Sequence, residues 1–236
     1  MLGVLANTLM VIVGGIIGTL FRSRIKGELI DTLMASMGLV IIVIGIDGAA
    51  GVSDILAVVV CLALGGIIGQ LLQLQAFFDG LGEKIHNKFK YTRFADGTFG
   101  EGFVTASVLF CVGTMAIMGS IEAGMNSNYT ILITKGVIDM VSAIAFSAAM
   151  GIGVAGAAIP VLIWEGALTL LASVVAPYLG ADVISDMSAV GGAIFIGMGL
   201  NMIGICDRKI SVSNMIPAII LPVIYVPVYN WIAGLL

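Results

Sequence analysis

The sequence predicts an all-α protein, a single polytopic bundle of about eight transmembrane helices that takes in the whole chain, residues 1–236. Composition is the first observation behind this fold class. Hydrophobic residues make up 60% of the chain, charged residues make up only 10%, and the mean hydropathy is +1.17. A soluble domain carries about 25% charged residues because its surface faces water. A chain with so few charges needs the lipid bilayer as the solvent of its outer surface.

Continuous apolar runs are the second observation, and they locate the helices. A membrane-spanning helix needs about 20 apolar residues, whereas barrel strands are shorter and alternate polar with apolar residues. Eight runs are long enough: 2–21, 29–46, 54–75, 102–121, 130–149, 153–175, 187–205 and 212–234. The last run contains Pro217, Pro222 and Pro227. Proline removes a backbone donor, so this span is predicted to be bent or irregular.

The distribution of basic residues is the third observation. Nine of the ten Lys and Arg residues follow the first, third or seventh run: Arg22, Arg24, Lys26, Lys84, Lys88, Lys90, Arg93, Arg208 and Lys209. With eight spans these three connections share one side, which the positive-inside rule makes cytoplasmic. Both termini are therefore predicted to face outward from a cytoplasmic membrane.

The longest connection, residues 76–101, is predicted to be a cytoplasmic amphipathic segment. Its apolar residues recur at helical spacing, at Phe77, Phe78, Leu81, Ile85 and Phe89, and Lys84 and Lys88 lie off that stripe. Such a segment lies in the plane of the membrane surface. His86, the only histidine, is interpreted as a solvated surface residue, with a pH sensor as the alternative.

Internal repetition adds detail to the fold. Segment 4–20 resembles 55–71, with the letters GGIIG in the same place, and 34–45 resembles 105–116 more weakly. Tandem helix pairs of this kind are typical of transporters and channels. The pattern leaves open whether the repeats are parallel or inverted.

Each GGIIG segment contains a GxxxG pattern, Gly14 with Gly18 and Gly65 with Gly69. Glycines one turn apart allow close helix contact, either within the chain or in a homodimer. A homodimer through these faces is the expected protein partner. The segment 151–156 matches GxGxxG but lies between spans, so it is interpreted as a tight turn and not as a dinucleotide site.

Ionisable residues inside the spans are the main candidates for function. Lys135 and Asp139 lie four residues apart on one face of the fifth span, and Glu165 lies at a comparable depth in the sixth. Buried ionisable groups in membranes usually face a bundle interior or a water-filled path. The pattern favours a proton or cation relay, with Na⁺ at Asp139 as one form, and a structural ion pair is the alternative.

Other candidates come from helix-weakening clusters and uncharged polar residues. Gly113 and Thr114, and also Gly197 and Gly199, are predicted to interrupt spans four and seven and to expose backbone carbonyls. Two asparagines inside spans are interpreted as helix contacts or as ligands: Asn7 and Asn201. No catalytic motif, metal-ligand spacing or basic tract is visible, so the sequence predicts no enzyme, no cofactor and no nucleic acid.

Four segments together resemble the YdfK/YqgA-like family of prokaryotic membrane proteins, a domain of unknown function: 102–124, 134–154, 159–172 and 191–220. The resemblance covers nearly the whole chain. It implies a prokaryotic cytoplasmic-membrane protein, and relatives are thought to be transport proteins. Lys135, Asp139 and Asn201 fall on positions that match the family.

The predicted function is a small secondary transporter. Its solute and a coupling H⁺ or Na⁺ would bind near the midplane between spans four to seven. Asp139 would carry the ion, and Lys135 would either neutralise Asp139 or contact an anionic substrate. Glu165 and Asn201 would line the site. Two alternatives remain, an ion channel and a membrane scaffold or sensor without transport.

Overall fold

The structure, a computed structural model, describes residues 1–22, 24, 27–77, 80, 99–112, 114–206 and 208–233, except for the side chains of residues 27, 112, 114 and 233. These residues form helices and no strand, which confirms the all-α prediction. The α-helices are α1 (Leu2–Arg22), α2 (Gly27–Ala50), α3 (Ile55–Leu71), α4 (Phe99–Val112), α5 (Thr114–Met125), α6 (Thr130–Met150), α7 (Gly153–Gly156), α8 (Ala158–Leu170), α9 (Ala172–Val175), α10 (Ala181–Ile203) and α11 (Pro222–Ala233). The 3₁₀ helices Ala176–Tyr178 and Val212–Ile219 precede α10 and α11.

In the described part of the chain, length and composition identify fewer candidate membrane spans than the eight that the sequence predicts. Among the described residues, five helices are long and apolar enough to cross a membrane: α1, α2, α6, Gly153–Leu170 and α10. Two bent pairs, α4 with α5 at 56° and the second 3₁₀ helix with α11 at 50°, raise the number to seven if each pair is one span. Helix α3 is a shorter apolar helix. The count of eight is therefore not confirmed, although the transmembrane helix bundle is.

Helix α1 shows how the bundle meets lipid. Its exposed apolar side chains recur every three or four residues: Leu5, Leu9, Val13, Ile16 and Leu20. The opposite stripe is buried against the bundle and contains small or polar residues, among them Asn7 and Gly14. An exposed apolar stripe along a whole helix is unfavourable in water but faces acyl chains in a bilayer.

Glycines set the contact between α1 and α6. A Cβ atom at Gly14 would lie 2.4 Å from the carbonyl oxygen of Met140, and one at Gly18 would lie 2.2 Å from that of Ile144. Both separations are too short for any side chain, so only glycine permits this approach. The partner residues rise in number along both helices, so α1 and α6 run parallel.

The second GxxxG pattern does the same for α3. A Cβ atom at Gly65 would lie 2.4 Å from Ala218, and one at Gly69 would lie 1.9 Å from the carbonyl oxygen of Asn214. Here the partner numbers fall as the helix number rises, so the two elements are antiparallel. Both GxxxG faces are thus filled within the chain, which agrees with the predicted contact inside the chain and does not support a homodimer through these faces.

Helices α2 and α10 form a third glycine-mediated pair. A Cβ atom at Gly45 would lie 2.6 Å from the carbonyl oxygen of Gly192, and one at Gly199 would lie 2.5 Å from that of Gly38. Helix α10 continues without a break to Ile203. The predicted interruption at Gly197 and Gly199 is therefore wrong, because these positions lie inside a continuous helix and Gly199 lets α2 approach.

The last predicted span is irregular, as the prolines indicated. Pro217 lies inside the 3₁₀ helix Val212–Ile219, and α11 starts at Pro222 after the 50° bend. Asn214 fastens this segment to the end of α3. Its Nδ2 donates to Gln70 Oε1 at 2.8 Å, and its Oδ1 accepts from the backbone N–H of Gln75 at 2.9 Å.

Two connections complete the comparison with the sequence. Gly151 ends α6 with φ of 82°, which glycine adopts readily, and α7 follows at Gly153. The predicted turn is therefore confined to Gly151 and Ile152, and the rest of segment 151–156 is helical. Most of the predicted amphipathic connector 76–101, with His86, lies outside the described residues, and α4 already begins at Phe99. Gly113 and the side chain of Thr114 lie outside them as well.

Candidate ion-binding site

Three helices bring four polar side chains together inside the bundle. Asn7 comes from α1, Lys135 and Asp139 come from α6, and Glu165 comes from α8. Their exposed fractions are 0% for Asn7, 5% for Lys135, 6% for Asp139 and 0% for Glu165. We call this group the buried ion cluster. Its members are separated by up to 158 positions in the chain, so the fold alone assembles them.

The local sequence explains how the helices meet at this point. Lys135 and Asp139 share a face of α6 because residues four apart are neighbours on a helix. Gly136 lies between them and leaves room for α1, since a Cβ atom there would lie 3.1 Å from the Cα atom of Asn7. The parallel packing of α1 on α6 therefore places the Asn7 amide beside the charged pair.

Lys135 is shared by two carboxylates. Its Nζ forms an ion pair with Asp139 Oδ2 within α6 and lies 3.1 Å from Glu165 Oε1 on α8. Asn7 Nδ2 donates a hydrogen bond of 2.8 Å to the same Glu165 Oε1. One oxygen of Glu165 thus receives both donors, and the cluster joins α1, α6 and α8.

The charges of the cluster do not balance when every group is ionised. Two carboxylates face one ammonium group, which leaves one negative charge in excess. An uncompensated charge in a low-dielectric interior costs several kcal/mol or more, so proteins pair, neutralise or solvate it. The cluster therefore has a place for one further positive charge, a proton or a small cation.

Hydrogen bonding is incomplete at the same place. Glu165 Oε2 and Asn7 Oδ1 are both buried, and neither has a hydrogen-bond partner among the residues that the structure describes. Buried polar atoms are nearly always satisfied by protein or ordered water, so each exception asks for an explanation. Two vacant acceptors on adjoining side chains suit a bound proton, cation or water.

Further buried hydroxyl groups extend on both sides of the cluster. Thr169 follows Glu165 by one turn of α8, and Ser120 lies on α5, whose neighbouring residue Gly119 packs against the first turn of α6. Ser147 lies on α6 towards its other end, two turns and about 12 Å beyond Asp139. Within the described part of the chain, the three hydroxyl oxygens have no hydrogen-bond partner.

Asn201 and the glycines of α10 are not brought to this cluster. Asn201 lies near the end of α10, where its Nδ2 donates to the carbonyl oxygen of Ile210 at 2.8 Å and its Oδ1 accepts from the Ile210 N–H at 2.9 Å. It therefore fastens the loop after α10. Gly197 faces the Ile210 side chain, and Gly199 faces α2.

A separate cavity of about 420 Å³, which is partly open at the protein surface, lies at one end of α2, beside α5 and α10. Most of its wall is apolar and includes Ile44, Met118, Ile184 and Phe195. Three polar side chains complete the wall: Asp47, Ser185 and Ser188. Its volume is in the range of small-molecule sites. Helix α5 contributes Met118 to the wall of this cavity. The same helix carries Ser120, whose buried hydroxyl group lies on the side of the ion cluster.

The walls of this site differ in part from the predicted ones. The sequence places the site between spans four and seven and names Asn7 only as a separate candidate, whereas α1 forms one wall of the ion cluster through Asn7. Glu165 and Thr169 are four residues apart and therefore share one face of α8. This spacing alone could have predicted a polar face on that helix.

Comparison with known proteins places the chain in a family. The family described as "Protein of unknown function (DUF554)" matches residues 2–227. The chain is 34% identical over 226 residues to a Bacillus subtilis protein named "Uncharacterized membrane protein YdfK", covering 94% of each chain. It is 31% identical over 222 residues to "Uncharacterized protein YqgA" of Escherichia coli, covering 93% of this chain and 94% of that one. No solved structure matches it significantly. The chain therefore belongs to the DUF554 family.

Proposed function

We propose that the protein is a small secondary transporter of a prokaryotic cytoplasmic membrane, which moves a small solute together with H⁺ or Na⁺. The observation that supports this function is the buried ion cluster. It has two carboxylates for one lysine, and two of its acceptor atoms are vacant within the described structure. Ionisable groups at such a depth are costly and typically serve ion or proton movement.

The enclosure of the cluster favours a transporter over a channel. Asn7 and Glu165 have no exposed surface, so an ion that binds between them does not exchange with bulk water in this conformation. Exchange then requires a movement that opens the cluster to one side at a time, as in alternating access. The buried hydroxyl groups of Ser120, Thr169 and Ser147 are positioned to line such openings.

In this proposal Asp139 and Lys135 form the fixed part of the ion site. Lys135 holds both carboxylates in place, and Asp139 makes the charge of the cluster negative, so that a cation is attracted. The cavity between α2, α5 and α10 is proposed as the place where the solute first binds. Helix α5 would transmit its occupancy to the ion cluster, because it borders the cavity through Met118 and lies against α8 at Gly124 and Thr169.

Flux measurements with Asp139→Asn test the proposal. Purified protein is reconstituted in liposomes, and proton and sodium flux are recorded with and without a pool of small metabolites. We expect flux only when metabolites are present, and we expect Asp139→Asn to lower it at least tenfold. The neutral variant leaves Lys135 to be balanced by Glu165 alone, so the cluster no longer needs a further cation.

Asp31→Asn is the matched control, since Asp31 is an exposed carboxylate on α2. It should transport like the unaltered protein. Flux driven by an ion gradient without metabolites would favour the channel. No flux under any condition, from protein shown to be folded, would contradict the transporter and favour a scaffold or sensor.

A further inference from the structure

We infer that the coupling ion of the proposed transporter is a proton, that Glu165 carries it on Oε2, and that the Lys135–Asp139 pair serves as its fixed counterpart. The coupling role of the proton rests on the proposed function. The position of the proton rests on the geometry of the cluster. This assignment moves the exchangeable ion from Asp139, where the sequence placed it, to α8.

The donors of the cluster distinguish its two carboxylates. Asp139 is four residues from Lys135 on the same helix and forms the direct ion pair with it. Glu165 receives Lys135 and Asn7 on Oε1 only, and its Oε2 has no donor from any described residue. Glu165 is also the more deeply buried of the two, at 0% exposed against 6% for Asp139. A bare carboxylate oxygen in that setting is unfavourable.

A single proton removes three defects together. It makes Glu165 neutral, so the remaining charges of Lys135 and Asp139 balance. It turns Oε2 from a vacant acceptor into a donor. It also supplies a hydrogen that we expect Asn7 Oδ1, the other vacant acceptor, to accept, since this oxygen belongs to the amide whose Nδ2 donates to Glu165 Oε1. Neutral, fully bonded polar groups are the arrangement that a low-dielectric interior favours.

A sodium ion satisfies the cluster less well. Na⁺ is bound by several oxygen ligands, as other hard cations are. Among the described residues, the oxygens of the cluster without a partner are Glu165 Oε2 and Asn7 Oδ1. The ammonium group of Lys135 lies 3.1 Å from the other oxygen of Glu165. A cation beside that ammonium group would be repelled, whereas a proton becomes part of the carboxyl group.

Release of the proton follows from the same contacts. When the cluster opens to water, Glu165 can ionise because solvent then stabilises its charge and Lys135 is at hand as a partner. Thr169 lies one turn further along α8. The step conserves charge, since the proton leaves the O–H bond of Glu165 and forms an O–H bond with water.

Infrared spectroscopy tests the inference without requiring transport. A protonated carboxylic acid has a carbonyl stretching band that lies apart from the amide bands and disappears on ionisation. Wild-type protein in lipid nanodiscs at neutral pH is expected to show this band. Glu165→Gln should abolish it, and Glu28→Gln, which changes an exposed glutamate on α2, should leave it unchanged.

Isotope labelling protects the experiment against a variant that fails to fold. Protein grown with glutamate labelled with ¹³C at the side-chain carboxyl should show the band shifted to lower frequency, whereas labelled aspartate should not move it. Absence of the band from the wild type, its persistence in Glu165→Gln, or a shift with labelled aspartate would each overturn the assignment. A band that behaves as expected in a protein without flux would instead count against the transporter alone.

Discussion

Replacement of Lys135 by methionine is expected to destabilise the protein by about 3–5 kcal/mol, which is the range for removing one partner of a buried ion pair. Methionine has a similar length, so the loss comes from charge and not from a cavity. Asp139 and Glu165 would then face each other without a cation, at 6% and 0% exposed. Thermal or denaturant unfolding of the protein in detergent measures the change.

The double variant Lys135→Met with Asp139→Asn separates charge from shape. It removes one positive and one negative charge together, so it should recover most of the lost stability while remaining inactive in transport. Lys209→Met is the control, because the Lys209 side chain is 76% exposed and lies 3.8 Å from Glu101. Wild-type stability in Lys135→Met, or no recovery in the double variant, would contradict the assigned ion pairs.

Gly18→Ala is expected to cost about 1–3 kcal/mol, the range for overpacking a tight interior. The new Cβ atom would lie 2.2 Å from the carbonyl oxygen of Ile144, a backbone atom that moves only if α1 and α6 separate. Separation of these helices would also draw Asn7 away from α6, although Gly18 lies about 16 Å along α1 from Asn7. We therefore expect both unfolding stability and coupled flux to fall.

Gly66→Ala is the matched control within the repeated segment. It lies in the second GGIIG copy, in a helix, and a Cβ atom there would meet nothing within 4 Å among the described atoms. Alanine at such a position should be neutral or stabilising by up to about 1 kcal/mol, because glycine weakens a helix interior. Equal effects of the two substitutions would show that the α1–α6 contact is not as close as described.

The parts of the fold that the sequence predicted are those that depend on local composition. Apolar runs located the helices, Pro217 and Pro222 marked the irregular last segment, and Gly151 marked a turn. The prediction for Gly197 and Gly199 was wrong because glycine weakens a helix in water, whereas within membranes it also permits close packing. Helix α10 uses Gly199 for the second purpose.

The candidate site was predicted in part, and the missing part depends on tertiary packing. Lys135 and Asp139 share a helix face, which spacing alone reveals, and Glu165 stood out as a charge inside a span. Asn7 reaches Glu165 only because α1 packs parallel to α6, a contact that no local pattern encodes. Asn201 looked equivalent to Asn7 in sequence, yet it bonds the backbone of Ile210.

The central claim is that the buried ion cluster opens to the two sides of the membrane in turn, and thiol labelling tests it most directly. Ser120→Cys and Ser147→Cys are made separately in protein without Cys61, Cys111 and Cys206, and each is exposed in vesicles to a membrane-impermeant maleimide on one side. The account predicts that the two positions react from opposite sides, and that an imposed proton gradient raises one rate while it lowers the other. Failure of both to react in folded protein, or reaction of both from the same side at once, would contradict it.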